Sequence, residues 1–167
     1  EANVCNVVYE DILKSSLTRH RWRFATEQKQ LSLLTATPTG RYAYAYQLPT
    51  SPELLQLITL TVNDLVIPYE RYGDKVYLDN YGSNSSVICD YVYRADEGEF
   101  PPHFILGLEY QLASLFAGSI ARDSGMIKQF SDMAERQYLV AKNVDSAEKT
   151  TQKLDQSRFI NLRQSTR

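Results

Sequence analysis

The sequence predicts an α+β fold: a helical bundle with an inserted small antiparallel β-sheet and an extended C-terminal tail. Three observations predict it. Apolar residues recur at helical spacing near both ends of the chain, short alternating and β-branched runs punctuated by turn residues lie between them, and beyond Val144 the pattern fades into polar residues. The boundaries that follow are one domain over 1–148, built from a helix over 3–20, a β-rich insertion over 23–94 and helices over 102–121 and 124–147, then a tail over 149–167. A chain of 167 residues suits one ordinary domain, which can bury roughly two-thirds of its unfolded surface.

The first helix rests on Val4, Val8, Ile12, Leu13 and Leu17, with Glu10, Asp11 and Lys14 between them. It ends in Arg19-His20-Arg21, cations that suit the negative end of a helix dipole. From Trp22 to Leu34 polar and apolar residues alternate as in a strand with one wet face, and Thr37-Pro38-Thr39-Gly40 is a turn signal. Tyr42, Tyr44 and Tyr46 then recur at period two, which places three rings on one strand face. Those rings either cover the helices or form an intersubunit or tail-contacting surface. Ser51-Pro52-Glu53 could open a short helix, whereas Leu57 to Val62 favours a strand. Asn63-Asp64 marks a turn, Val66–Tyr72 and Lys75–Leu78 flank Gly73-Asp74 as a hairpin, and Val87–Tyr93 is one more strand after a polar loop.

Pro101-Pro102 opens the next helix, whose apolar face is Ile105, Leu108, Leu112, Leu115, Phe116 and Ile120. Gly107, Ala113, Ala117, Gly118 and Ala121 lie among these, so a second backbone can come close. Asp123 or Ser124 can cap the last helix, which carries Ile127, Phe130, Ala134, Tyr138 and Ala141 at steps of three and four.

The net charge of −2 gives no global field that would draw nucleic acid or an acidic membrane surface. The tail is locally basic: Lys149, Lys153, Arg158, Arg163 and Arg167 face only Asp155. It lacks the interleaved aromatics of a nucleic-acid platform, and a solvated or partner-docked tail is the plainer reading. Cys5 and Cys89 are too few for a disulfide framework or a zinc site and read as buried thiols in a reducing cytosol. No apolar run is long enough to span a bilayer. No phosphate-binding glycine loop and no HExxH pattern occurs, so no cofactor and no metal are expected; His20 reads as a helix C-terminal cation and His103 as a first-turn residue. Asp96, Glu97 and Glu99 cluster before a helix, where acidic residues are expected on dipole grounds. They are also the best sequence support for a glycan hydrolase, which needs paired carboxylates.

Leu17-Thr18-Arg19-His20-Arg21-Trp22-Arg23-Phe24-Ala25 resembles the "LL..HPWNFA" stretch of phage head-to-tail adaptors of the tail tubular protein A type. Arg21 stands where the family often has Pro, and Arg23 where it has Lys or Asn. Arg41-Tyr42-Ala43-Tyr44-Ala45-Tyr46-Gln47-Leu48-Pro49 resembles the family's tyrosine-alternating segment. Pro101-Pro102-His103-Phe104 leading into two Ala/Leu-rich helices is similar to its third landmark. Together these cover most of residues 2 to 147. The resemblance implies a non-enzymatic subunit of a homo-oligomeric ring, commonly of twelve copies, in the neck of a virion assembled in the host cytoplasm. Its implied partners are the portal protein and a tail tube or nozzle protein, with double-stranded DNA passing through without sequence-specific binding and no membrane involved. In the family the C-terminal segment often reaches the portal. That role would fall here on Phe159, Ile160 and Leu162 as apolar anchors and Arg158 and Arg163 as charge partners. The rival expectations are the glycan hydrolase and a nucleic-acid-binding module working through the basic tail.

Overall fold

The computed structural model describes residues 2–148 apart from 37, 39, 80 and 82–84. Three helices are present among them: α1 (Ala2–Thr18), α2 (Pro102–Phe116) and α3 (Ser124–Ala147). Among the described residues between α1 and α2 lie eight strands: β1 (Thr26–Gln30), β2 (Ser32–Leu33), β3 (Tyr44–Gln47), β4 (Leu54–Val62), β5 (Leu65–Val66), β6 (Glu70–Tyr72), β7 (Lys75–Leu78) and β8 (Val87–Tyr93).

These strands overturn the expected helical bundle with one small inserted sheet. They form two four-stranded antiparallel sheets, ordered β1-β8-β4-β5 and β2-β3-β7-β6. A hydrophobic cluster of their own joins them, with Leu57, Leu60, Val62, Val87, Cys89 and Tyr91 from the first sheet and Tyr46, Val76 and Leu78 from the second. The opposite face of the first sheet meets the helices, where Val92 joins Leu13, Leu17, Phe104 and Tyr138. The architecture is therefore three layers, helices, sheet and sheet, with two cores separated by β4 and β8. Period-two alternation shows that a segment is a strand, but not whether its second face is covered. A buried Cys89 and Tyr91 beside a buried Val92 mark a strand covered on both sides.

Local chemistry explains the turns and crossings. Asn63 and Asp64 both adopt positive φ, 50° and 64°, the backbone of a two-residue hairpin that matches strand twist. Gly73, at φ 62°, opens the second two-residue turn, so Tyr72 pairs with Lys75 and Glu70 with Tyr77. The single strand expected over Val66–Tyr72 is divided at Pro68, which has no N–H to offer a ladder, and the chain crosses there from one sheet to the other. Ser51-Pro52 opens no helix; a turn leads directly into β4.

In the helical layer, Trp22 and Phe24 do not join a strand. Arg23–Ala25 forms a short 3-10 turn that inserts the fully buried Trp22 against Phe104, ring centroids 5.2 Å apart, and its indole N–H donates to the Ser16 carbonyl at 2.9 Å. Pro101 and Pro102 occupy the cap and first position of α2, where a missing N–H is harmless. Gly107 lets α3 approach: a Cβ there would stand 2.9 Å from the Tyr138 ring. The Tyr138 hydroxyl donates to Ser16 Oγ at 2.9 Å, and Ser16 donates to the Ile12 carbonyl at 2.8 Å, so both buried hydroxyls are paired. A π-helical turn over Ala117–Ala121 ends α2, and Asp123 caps α3 by accepting from the N–H groups of Gly125 and Met126.

Candidate functional site

The tyrosine stripe is split. Tyr44 and Tyr46 lie opposite Leu78 and Val76 in the ladder and face the sheet core; Tyr46 is 1% exposed, and its hydroxyl donates to the Tyr81 carbonyl at 2.6 Å. Tyr42 precedes β3, where the chain bends and the alternation breaks. Its ring lies instead with those of Tyr72 and Tyr77, centroids 5.5–6.5 Å apart and planes inclined by 45–69°. The Arg41 guanidinium sits 4.9 Å from the Tyr42 ring centre and donates to the Tyr42 hydroxyl. The outer face of the second sheet thus carries an aromatic cluster, with Tyr72 56% exposed. Beside it opens a cleft of about 390 Å³, lined by Tyr42, Tyr77, Tyr69, Pro68, Glu70 and Asp79 among others. Sequence reasoning did not single out Tyr72 and Tyr77. The signal was available: a two-residue turn at Gly73-Asp74 fixes the register that brings both to the outer face.

The acidic loop performs a different task from the one paired carboxylates suggest. Arg94 donates to Glu97 through both terminal nitrogens, at 2.6 and 3.2 Å, and to Glu10 of α1 at 2.8 Å. The Tyr9 hydroxyl reaches the same Glu97 carboxylate at 3.3 Å. Hydrogen bonding to Arg94 pulls the Glu97 pKa down to about 2, the direction opposite to that of a general acid. Glu99 accepts from the Tyr93 hydroxyl at 3.2 Å, and Asp96 lies 3.8 Å from Arg94. The loop is a clamp that ties α1 to the connection between β8 and α2.

His20 stands 3.3 Å from Asp145, whose carboxylate is buried and also accepts from the Arg23 N–H at 3.0 Å, so the last turns of α3 are fastened to the segment after α1. His103 Nε2 is buried with no hydrogen-bond partner among the described residues. Burial raises the Cys89 thiol to about 11, which leaves it a packing group; the side chain of Cys5 is outside the described set. Among the described residues no cluster of His, Cys, Asp and Glu could hold a metal ion, and no helix is long and apolar enough to cross a membrane.

Apolar side chains also stand in solvent elsewhere. Leu65 and Val66, at the tip of the β4–β5 hairpin, are 69% and 70% exposed; Ile120, in the turn between α2 and α3, is 71% exposed, and Leu139 and Val140 project from α3. An open groove of about 500 Å³ runs between the three helices, bordered by Ile12, Leu115, Gly118, Ile127 and Ala134. The expected portal-binding residues Arg158, Phe159, Ile160, Leu162 and Arg163 lie outside the described residues. No family model matches the chain, and comparison with curated proteins gives no match.

Proposed function

We propose that the chain is a structural head-to-tail adaptor: a subunit of a ring, of about twelve copies by its family resemblance, between the portal and the tail or nozzle of a tailed phage, through whose centre the DNA passes. The observation that carries this reading is the meeting of two of the three landmark segments. Trp22 and Phe24 come from one, Phe104 from another far along the chain, and they lie within 5.0–6.1 Å of one another, centroid to centroid. The resemblance therefore falls on residues with a shared structural task rather than on scattered matches. The apolar side chains left in solvent on the β4–β5 hairpin, the α2–α3 turn and α3 supply the kind of surface that repeated subunit contacts would cover.

In this reading the segment over 149–167 is the portal anchor, with Phe159, Ile160 and Leu162 as its apolar contacts and Arg158 and Arg163 as its charged ones. Purified chain mixed with purified portal protein should give rings seated on the portal in negative-stain images. A chain ending at residue 149 should leave the portal bare. Rings absent from the full-length mixture, together with normally tailed particles from a phage lacking the chain, would sink the proposal.

A further inference from the structure

We propose that the tyrosine cleft on the outer face of the second sheet binds a proline-rich peptide in the polyproline II conformation, with a basic residue beside the prolines. This goes beyond the adaptor reading and does not depend on it. Four observations converge. First, the rings of Tyr42, Tyr72 and Tyr77 are inclined by 45–69°, so they present ridges with furrows between them rather than a flat platform. A pyrrolidine ring wedges into such a furrow, as in aromatic-lined grooves that read extended proline segments. A sugar or a nucleobase instead needs an open ring face on which to stack.

Second, the cleft beside these rings, about 390 Å³ and walled by Tyr69, Tyr77 and Pro68, has the volume to admit a side chain. Third, the hydroxyls of Tyr69 and Tyr77 make no hydrogen bond to a described residue. A polyproline II segment has no internal hydrogen bonds, so its carbonyls are free to accept from such donors, and its preset backbone loses little freedom on docking.

Fourth, the charge selects. Glu70 and Asp79 line the cleft with neither a direct ion pair nor a side-chain hydrogen bond to a described residue, and the one cation in the lining, Arg41, is hydrogen-bonded to Tyr42 and lies in the field of Glu70. Two carboxylates against one guanidinium leave the cleft a net negative charge of one, which disfavours a phosphate backbone and favours a cation on the ligand.

The test uses the full chain labelled with ¹⁵N-tyrosine and titrated with a synthetic peptide of one arginine followed by nine prolines. Saturable shifts at Tyr42 and Tyr77 are expected. Binding should weaken about tenfold or more for a glycine-serine peptide carrying the same arginine, and several-fold when glutamate replaces the arginine. Tyr77→Ala should lose about tenfold in affinity while Tyr77→Phe loses less, and the pair Glu70→Gln with Asp79→Asn should abolish the preference for arginine over glutamate. The proposal is overturned if millimolar peptide leaves Tyr42 and Tyr77 unshifted. It is equally overturned if the glycine-serine peptide binds as well, or if a linear glucose hexamer or a short single-stranded DNA shifts these tyrosines and the proline peptide does not. Because the shifts of the native chain decide between these outcomes, a variant that fails to fold does not blunt the test.

Discussion

The helical layer and the outer sheet both depend on aromatic residues, and they use them in opposite ways. In the helical layer Trp22, Phe104 and Tyr138 are buried, their rings pack edge to face or tilted, and the Trp22 indole N–H and the Tyr138 hydroxyl each find a partner inside the chain. On the outer sheet Tyr42, Tyr72 and Tyr77 touch one another just as closely, yet Tyr72 is exposed and the other two are only half-buried. The difference is set by what lies behind the ring. A ring whose far side meets another layer is part of the fold, and a ring whose far side meets water is available to something else.

Substitution should break this contrast in graded steps. Trp22→Ala removes a fully buried indole, its edge-to-face contact with Phe104 and its bond to the Ser16 carbonyl, and is expected to cost about 3–5 kcal/mol by urea denaturation. Gly107→Ala drives a methyl into the Tyr138 ring and should cost about 1–3 kcal/mol, with part of the loss recovered when Tyr138 is shortened to Leu. Tyr138→Phe keeps the ring but loses the hydroxyl bond to Ser16, at about 1 kcal/mol. Tyr72→Ser on the outer sheet should change stability by less than about 1 kcal/mol, the scale of a cross-strand pair on a wet face. A Tyr72→Ser loss as large as that of Trp22→Ala would erase the distinction.

The clamp offers a sharper probe because it responds to protons. The Glu97 pKa is depressed from its ordinary 4.5 to about 2 by hydrogen bonds from Arg94. A carboxylate with a depressed pKa contributes stability that is complete above its unfolded value and is lost as pH falls through its folded value. The loss should therefore run between about pH 4.5 and pH 2, and it should be small because half of the side chain is open to solvent. Urea midpoints measured across that window should fall less steeply for Glu97→Gln than for the native chain.

The helices and turns were legible in the sequence because their signals are local. Pro101-Pro102, Asp123, Asn63-Asp64 and Gly73-Asp74 act through the backbone within a few residues of themselves. The second sheet was not legible as a layer, because its identity depends on pairings between β2, β3, β7 and β6 that no short window contains. Trp22 misled for a related reason: the alternation that holds through β1 and β2 also runs back over Trp22–Ala25 and imitates a strand there, but burying so large a ring against α2 outweighs local preference and turns the backbone. In the candidate cleft Tyr42 was named from the sequence. Its neighbours were not, since Tyr72 and Tyr77 reach it only across the hairpin and the ladder.

Strand β8 places Cys89 and Tyr91 in one core and Val92 in the other. Neither core can be exposed without withdrawing a wall of its neighbour, so loss of either carries the other with it. Heating should consequently melt the molecule in a single calorimetric transition, with equal van't Hoff and calorimetric enthalpies, despite its two separate apolar interiors.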